Sequence, residues 1–294
     1  MIAMYVMILN PTSGQGAALK KLPELEEVLR QQGIEYRIER DHKTEETASV
    51  VRRAAEEKPE GIIAIGGDGT LFQVINGMIG SDVPLLFVAC GTGNDFVRSL
   101  NLPKDPVEAL KLQLSASVNR IDVGRMNDTC FLNVAGTGFD VDVLRIVDAY
   151  KEKYSGLKAY LFALVEAIKH YKPMTAMVSL DDEPEKEMSF AIISIGNGRY
   201  IGGGMKAVPD ALVNDGLFDV VIVSPVKKWA ILPLVFFYIM GKHIDLKLGR
   251  LRRCRRVCIR RPDTTINLDG ELVAADNARF ELLPAALCVR VPGI

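Results

Sequence analysis

The chain has 294 residues, of which 48% are hydrophobic and 25% charged, and its formal net charge is −1. This length suits two domains, the composition is that of a globular protein, and a nearly neutral charge argues against binding to nucleic acid. The five cysteines have no spacing that completes a zinc site, so we expect reduced thiols and a cytoplasmic protein.

The N-terminal stretch MIAMYVMILN reads as a first β-strand. It lacks the basic segment and the small-residue cleavage site of a signal peptide. The longest apolar run, 229–241, contains Pro233 and is shorter than the roughly 20 residues that a membrane-spanning helix needs. We therefore expect no transmembrane segment.

The first 120 residues alternate between apolar runs and amphipathic stretches. Their periodicity predicts strands at 5–9, 35–40, 61–65 and 85–89 and helices at 17–32, 47–58, 70–79 and 105–114. Strands that alternate with helices of this length form βαβ units around a parallel sheet. We predict an α/β domain with a parallel, Rossmann-like sheet over residues 1–120.

After residue 120 the pattern changes to short strands separated by turn signals. Two helices, predicted at 141–172 and roughly 226–240, interrupt these strands. Short strands of this kind are typical of antiparallel sheets. We predict a mainly antiparallel β-sandwich domain over residues 121–294.

Three loops of the first domain carry the motifs that suggest chemistry. NPTSG (10–14), GGDGT (66–70) and CGTGND (90–95) each follow a predicted strand. Because the carboxyl ends of parallel strands share one edge of a sheet, we expect these loops to lie together. Their glycines allow close approach of the backbone, and the helix N-termini beside them favour phosphate. The chain has neither GxxxxGK[ST] nor GxGxxG, so backbone amides and a cation must hold the phosphates.

Asp68 in the middle of GGDGT is a carboxylate in a loop built for phosphate. Such a group makes sense if it meets a metal ion or a hydroxyl, because Mg²⁺ takes one or two carboxylates together with phosphate oxygens. A general base must also lie near an attacking oxygen. Asp68 therefore suggests phosphoryl transfer rather than nucleotide binding alone.

These motifs, in this order, resemble the diacylglycerol-kinase catalytic domain that bacterial diacylglycerol kinases share with YegS-like, sphingosine and ceramide kinases. The similarity continues through GNGRYIGGGMKAVPDALVNDGLFDV (196–220), GKH (241–243) and LDGE (268–271). It implies an ATP-dependent lipid kinase with this two-domain fold, shared in its first domain with NAD kinases. ATP and a lipid hydroxyl would meet between the domains, and diacylglycerol would give phosphatidic acid.

The resemblance also implies a set of ATP contacts. Asp95 and Arg98, in NDFVRS, would lie at the cleft between the domains. His42 aligns near an ATP-contacting position where the family usually has threonine, which puts that contact in doubt. The remaining implied contacts are Asn10, Pro11, Thr12, Ser13, Gly14, Gly66, Gly67, Asp68, Gly69, Thr70, Leu71, Phe72 and Thr92.

Catalytic and metal-binding residues follow from the same resemblance. Glu271 in LDGE matches the proton acceptor, with Asp269 beside it, while Asp68 would engage the Mg²⁺ bound to ATP. From the sequence alone these roles are interchangeable. A structural Mg²⁺ is implied at the NDG turn, held by Asp215, the carbonyls of Leu212 and Leu217, and a network that includes Asp122.

Three other functions are compatible with GGDGT. An NAD kinase would carry an Asn-Glu pair between positions 92 and 133, where the chain has none, and a phosphofructokinase would lack the sandwich domain. A non-catalytic nucleotide or lipid sensor is the third alternative. Within the lipid kinases, a sphingoid base, ceramide or phosphatidylglycerol is an alternative substrate.

Two stretches suggest peripheral contact with a membrane. The segment 226–240 is apolar on nearly every side, and GRLRRCRRVCIRR (249–261) contains seven arginines. Apolar surface and positive charge together suit an anionic bilayer. The alternatives are a buried helix and an ordinary solvated strand. A homodimer is left open.

Overall fold

The computed structural model describes residues 4–40, 46–151, 157–246 and 249–293. Four parallel strands form one end of the molecule, in the order β2-β1-β3-β4. These are β1 (Met4–Leu9), β2 (Glu35–Arg40), β3 (Gly61–Gly66) and β4 (Leu85–Ala89). The inner strands β1, β3 and β4 read as continuous apolar runs because helices cover both faces of the sheet. The predicted α/β domain is confirmed.

Helices pack on both faces of this parallel sheet. Pro106 opens the last of them and Asp105 caps it, because one carboxylate oxygen accepts the N–H groups of Val107 and Glu108 at 3.0 Å each. The short fourth helix follows CGTGN directly and was not predicted. The helices are α1 (Ser13–Gln31), α2 (Thr47–Glu56), α3 (Asp68–Met78), α4 (Asp95–Ser99) and α5 (Pro106–Ser115).

The remainder is an antiparallel β-sandwich, as predicted. One of its sheets has the order β12-β11-β10-β7-β14-β15, and the facing sheet is built around β16. Aromatic side chains fill the space between them, with Phe131 stacked on Phe218 at 5.8 Å and edge-on to Phe280 at 6.3 Å. The strands are β5 (Val118–Met126), β6 (Thr129–Phe131), β7 (Val134–Gly138), β8 (Met174–Leu180), β9 (Lys186–Phe190), β10 (Ile192–Gly196), β11 (Phe218–Val223), β12 (Gly249–Cys254), β13 (Arg256–Arg260), β14 (Thr265–Leu268), β15 (Glu271–Ala274) and β16 (Asn277–Arg290).

Strand β16 joins the two halves of the molecule. It pairs with β5 and β13 in antiparallel fashion and meets β4 in parallel at Val289 and Leu85, so the parallel sheet and one sandwich sheet form a single ten-stranded sheet. The turn signal at Pro284 favours two short strands here, ARFELLP (278–284) and ALCVRVP (286–292). The structure has one, with a register shift between Leu283 and Leu287 where Pro284 cannot donate a ladder hydrogen bond. The predicted domain boundary near residue 120 falls inside β5 and stays a prediction.

The single helix predicted over 141–172 is wrong. The structure has α6 (Phe139–Lys151) and α7 (Leu157–His170), and these helices pack against one another. The rings of Tyr150 and Phe162 stack at 6.0 Å, which one continuous helix could not bring together. The third helix of this half is α8 (Lys228–Met240). Among the described residues, no helix is long and apolar enough to span a membrane.

Candidate active site

The three glycine-rich loops lie together at the carboxyl edge of the parallel sheet. A Cβ atom on Gly14 would lie 1.9 Å from the carbonyl oxygen of Cys90, and one on Gly91 would lie 2.5 Å from the Cα of Gly67. Side chains at these positions would push the loops apart. Glycine is therefore required here for the loops to meet.

The NPTSG loop has an unusual backbone at the start of α1. Gly14, Gln15 and Gly16 have positive φ angles of 60°, 57° and 86°, so the regular helix begins at Ala17. Asn10 closes the turn by accepting the backbone N–H of Thr12 at 3.0 Å and its hydroxyl at 2.8 Å. The result is a tight turn next to a helix N-terminus, an arrangement that suits an anion.

Asp68 is the first residue of α3, and its carboxylate connects the 90–95 loop to this helix. Its Oδ1 accepts the backbone N–H of Asp95 at 2.8 Å, while a Cβ atom on Gly93 would lie 2.6 Å from its Oδ2. Burial raises the pKa of Asp68, and the N–H groups at the start of α4 act in the opposite direction. The carboxylate thus holds the 90–95 loop against the N-terminus of α3, beside the cleft.

Asp95 and Arg98 lie against the loop Gly202–Gly204, which belongs to the sandwich half of the molecule across the cleft. Asp95 accepts the N–H of Gly203 at 2.8 Å through Oδ2 and pairs with Arg98 at 2.8 Å through Oδ1. The guanidinium carbon of Arg98 lies 5.5 Å from the centre of the Tyr200 ring. Burial, with a contribution from Asp68, raises the pKa of Asp95 to about 6. These contacts connect the two halves of the molecule at the cleft.

Asp269 is fully engaged by backbone groups. Its Oδ1 accepts the N–H groups of Asn133 and Val134 at 2.9 Å each, and its Oδ2 accepts that of Leu132 at 2.7 Å. Burial and the neighbouring charge of Asp68 raise its pKa to about 7, against the effect of these three donors. Asp269 therefore anchors the turn between β14 and β15 to the segment before β7.

Glu271, two residues later, differs from Asp269 in its exposure and in its hydrogen bonding. It is exposed at the start of β15, and among the described residues its carboxylate has no hydrogen-bond partner. Its Oε1 lies 3.4 Å from the position of a Cβ atom on Gly69, in the first turn of α3. Of the three predicted catalytic carboxylates, Glu271 is the one whose two oxygens both lack a hydrogen-bond partner among the described residues.

A cavity of about 690 Å³ extends from these carboxylates into the second half of the molecule. Asp68, Thr92, Asp95, Asp269 and Glu271 line its polar part. Its remaining lining is mostly apolar and comes from α6, α7, α8 and the strands between them, with residues such as Leu144, Leu164, Ile192, Leu234 and Val235. An apolar cavity with a few convergent polar groups is the usual form of a small-molecule site.

Asp140 is a site residue that the sequence analysis missed. It lines the apolar part of the cavity, and its Oδ2 accepts the side-chain N–H of Asn267 at 3.3 Å. Its Oδ1 is buried and has no hydrogen-bond partner among the described residues, and burial raises the pKa of Asp140 to about 6. Asn267 also accepts the N–H of Gly270 at 2.8 Å, which links Asp140 to the turn that carries Glu271. An aspartate in the first turn of a helix is common, so its position in the sequence does not mark it as a cavity residue.

Replacing Asp140 with Asn is expected to raise thermal stability at pH 8 but not near pH 4. Because the native pKa of about 6 exceeds the ordinary value of 3.8, the native protein binds this proton more tightly than the unfolded chain does. The wild type therefore loses free energy of unfolding as pH rises from about 4 through about 6. The loss is up to about 3 kcal/mol for a pKa that differs by roughly two units between the native and unfolded states. Thermal melts of both proteins across this pH range test the expectation. A difference independent of pH would contradict it.

At the implied structural metal site, the carboxylates of Asp215 and Asp122 are engaged by other groups of the protein. Asp215 pairs with Arg253 through one oxygen and accepts the N–H of Leu217 at 3.1 Å through the other. Asp122 accepts the N–H groups of Gly216 at 2.7 Å and Ala285 at 2.8 Å. The described residues contain no group of three or more His, Cys, Asp or Glu that could hold a metal ion, and the side chain of Leu212 is exposed. These residues form an ion-pair and turn network, and the metal site stays a prediction.

The other predicted ATP contacts have varied positions. His42 lies outside the described residues. The side chain of Phe72 is buried in the sandwich core, and Thr70 is also buried. The rest belong to the three loops described above or to α3: Asn10, Pro11, Thr12, Ser13, Gly66, Gly69 and Leu71.

Comparison with known proteins matches each half of the chain to a known domain. Residues 4–126 match the model of the diacylglycerol kinase catalytic domain, and residues 133–291 match the YegS C-terminal NAD kinase beta sandwich-like domain. A YegS-like lipid kinase of Xanthomonas euvesicatoria is 32% identical over 302 residues, which covers 98% of this chain and 96% of the relative. A diacylglycerol kinase of Mycobacterium tuberculosis is 27% identical over 297 residues, covering 99% and 96%.

The fold agrees with a solved structure. A crystal structure of a diacylglycerol kinase from Bacillus anthracis superposes with a TM-score of 0.75 at 22% identity and covers 98% of this chain and 97% of that chain. The shared fold, the two matching domain models and the full-length relatives lead to one conclusion. The chain belongs to the diacylglycerol kinase catalytic-domain family and is a lipid kinase that uses ATP.

Proposed function

We propose that the protein transfers the γ-phosphate of ATP to a primary hydroxyl of a membrane lipid, with diacylglycerol as the first candidate and phosphatidic acid as its product. Residues 1–120 would bind the nucleotide and residues 121–294 the lipid. One observation carries this proposal: the apolar cavity opens onto the same carboxylates and glycine-rich loops that form the edge of the parallel sheet. Such a cavity suits the acyl chains of a lipid acceptor.

The loops would hold the triphosphate through backbone N–H groups and the N-terminal end of α3. Four carboxylates line this part of the cavity: Asp68, Asp95, Asp269 and Glu271. Their negative charge would repel a triphosphate unless a cation accompanies it, so we propose that ATP enters as its Mg²⁺ complex. Asp68 would face that ion, since Mg²⁺ bound to phosphates usually takes one or two protein carboxylates.

Glu271 would be the proton acceptor. A lipid hydroxyl is a poor nucleophile at neutral pH, and a base within hydrogen-bond reach speeds its attack on the γ-phosphorus. Glu271 has a carboxylate free to accept this proton, whereas Asp269 is held by three N–H groups. Asp269 would act by positioning the turn, and Arg98 would stay with Asp95 at the junction of the two halves.

Asp140 favours a second candidate substrate. Diacylglycerol has one hydrogen-bond donor, the hydroxyl that reacts, so it offers nothing to the unpartnered Oδ1 of Asp140. A buried carboxylate oxygen without a partner is costly, and a lipid with a further hydroxyl or amino group would satisfy it. Phosphatidylglycerol and sphingoid bases have such groups.

A panel of lipids tests both candidates. Wild type and Asp140→Asn are assayed with ATP and Mg²⁺ in mixed micelles that contain diacylglycerol, phosphatidylglycerol, sphingosine or ceramide. If the substrate has a second donor, the variant should lose roughly tenfold or more of kcat/KM for that lipid, because a charged hydrogen bond contributes about 1.5–3 kcal/mol. If diacylglycerol is the substrate, the variant should keep or gain activity. No phosphorylated lipid from any micelle would overturn the proposal.

Such a reaction would take place in the cytoplasm at a membrane surface, because its lipid substrate stays in the bilayer, and its product would feed phospholipid synthesis. Reaching a lipid in a bilayer requires a surface that contacts the bilayer.

A further inference from the structure

Helix α8 exposes large apolar side chains to solvent. Trp229 is 76% exposed, Leu232 59% and Phe236 60%, and these three positions are spaced so that they share one face of the helix. Within α8, Ile231 alone is buried. The helix is therefore neither the buried helix nor the polar surface helix that a water-soluble protein would normally have.

The opposite side of α8 lines the cavity. Ile231, Leu234, Val235 and Tyr238 belong to the cavity wall and alternate along the helix with the exposed residues. Ile239 both lines the cavity and is 46% exposed, so the cavity reaches the surface beside the exposed face. One short helix thus separates the cavity from the exterior and is apolar on both sides.

Lysines flank both ends of this helix. Exposed Lys227 precedes it and exposed Lys228 begins it, and Lys228 donates to the carbonyl of Lys169 at the end of α7, with exposed Lys172 shortly after. At the other end, exposed Lys242 follows the helix, with exposed Asp245 three residues later. Glu166 is the nearby acid on α7, and it already pairs with Lys169 at 2.8 Å. Positive charge therefore predominates around an apolar face on a chain whose net charge is −1.

The arginine-rich stretch 249–261 has less free charge than the sequence suggested, because four of its seven arginines are paired. Arginines of β12 and β13 pair with acids on or near neighbouring strands: Arg252 with Glu183, Arg253 with Asp215, Arg256 with Asp182 and Arg260 with Glu185. These pairs neutralise four arginines, and no large apolar side chain of this described stretch is exposed. The basic surface that adjoins an exposed apolar face is the one around α8.

We propose that the exposed face of α8 inserts into an anionic bilayer and that the lipid enters the cavity laterally past this helix. The inference rests on the proposed function and names the surface through which it operates. At a rise of 1.5 Å per residue, α8 is about 20 Å long, too short to span a bilayer and suited to lying in its interface. Trp229 next to the lysines is the combination that favours the headgroup region.

The test compares two variants in which three exposed apolar residues become serine. The first is Trp229→Ser/Leu232→Ser/Phe236→Ser, which changes no residue of the cavity lining. The matched control is Leu19→Ser/Leu112→Ser/Val118→Ser, whose residues are 46%, 36% and 45% exposed elsewhere on the molecule. Each protein is measured for co-sedimentation with vesicles of phosphatidylglycerol and phosphatidylcholine, and for phosphorylation of the same lipid class in vesicles and as a short-chain form dissolved in water.

The α8 variant is expected to lose at least about tenfold in vesicle affinity and a similar factor in activity on vesicle lipid. Its rate on the dissolved short-chain lipid should be that of wild type, and the control should match wild type throughout. Equal vesicle binding by all three proteins would overturn the inference. The inference would also be overturned if light scattering showed that wild type is a dimer and the α8 variant a monomer that still binds vesicles. In that case α8 would be a subunit interface. If wild type binds vesicles through α8 but phosphorylates no lipid, the proposed function fails and the docking surface stands.

Discussion

Replacing Glu271 with Gln is expected to lower kcat by about 100-fold or more, because a positioned general base typically contributes 10²–10⁴-fold. Gln keeps the size of the side chain but cannot accept the proton of the lipid hydroxyl. Glu271 is exposed, and among the described residues its carboxylate has no hydrogen-bond partner, so the substitution should leave the fold unchanged. Initial rates at saturating ATP, together with a thermal melt, measure both effects.

Asp269→Asn is the matched control for this variant. The amide oxygen of Asn can still accept from Asn133 and Val134, but its NH₂ group meets the N–H of Leu132, so one buried donor is left unsatisfied and stability should fall by about 1–3 kcal/mol. Glu271→Gln should therefore lose rate at constant melting temperature, whereas Asp269→Asn should lose both. If Glu271→Gln kept near wild-type kcat, the proton acceptor would have to be another residue.

Asp68→Asn is expected to lower kcat by about two orders of magnitude through a different physical effect, the loss of the charge that we propose faces the Mg²⁺–ATP complex. The amide oxygen of Asn can still accept the N–H of Asp95, so the loop at 90–95 should stay attached to α3. The variant should therefore fold normally and need more Mg²⁺ for half-maximal rate. A Mg²⁺ titration at fixed ATP measures this shift.

The two carboxylates can be distinguished by that titration. Glu271→Gln should have a wild-type Mg²⁺ dependence, because its missing group acts on the hydroxyl. An Asp68→Asn variant with reduced rate but unchanged Mg²⁺ dependence would exclude the role in facing the ion, and Asp68 would then act only by holding the loop.

The parallel half of the fold could be predicted because its signals are local. Strands β1, β3 and β4 are apolar runs of five or six residues, and each ends in a glycine-rich turn that starts a helix. The shared edge then follows from the geometry of parallel sheets, which is why the NPTSG, GGDGT and CGTGND loops could be grouped before any contact was known.

The contacts between distant segments could not be predicted in this way. Strand β16 pairs with β4, β5 and β13, and its pairing with β5 joins residues that are more than 150 positions apart, which no local pattern encodes. The helix pair α6 and α7 was read as one helix because both have the same apolar period, although Ser155-Gly156 is a turn signal in the sequence.

The roles of the site carboxylates depend on the same long-range contacts. Asp269 and Glu271 are neighbours in LDGE, and only the approach of the 132–134 backbone makes one of them an anchor and leaves the other free. Asp140 likewise stands out because its Oδ1 has no hydrogen-bond partner among the described residues, inside a cavity that several distant elements line together. Sequence spacing contains neither fact.

Phosphate transfer from γ-labelled ATP tests the central claim most directly. Wild type is incubated with Mg²⁺ and labelled ATP, with lipid vesicles of defined alcohol content in one reaction and NAD⁺ in another. We expect label in the organic phase as a lipid phosphate, and none in NADP⁺. Label in NADP⁺ with no labelled lipid, or ATP that stays intact with every lipid offered, would contradict a lipid kinase whose chemistry takes place between Asp68 and Glu271.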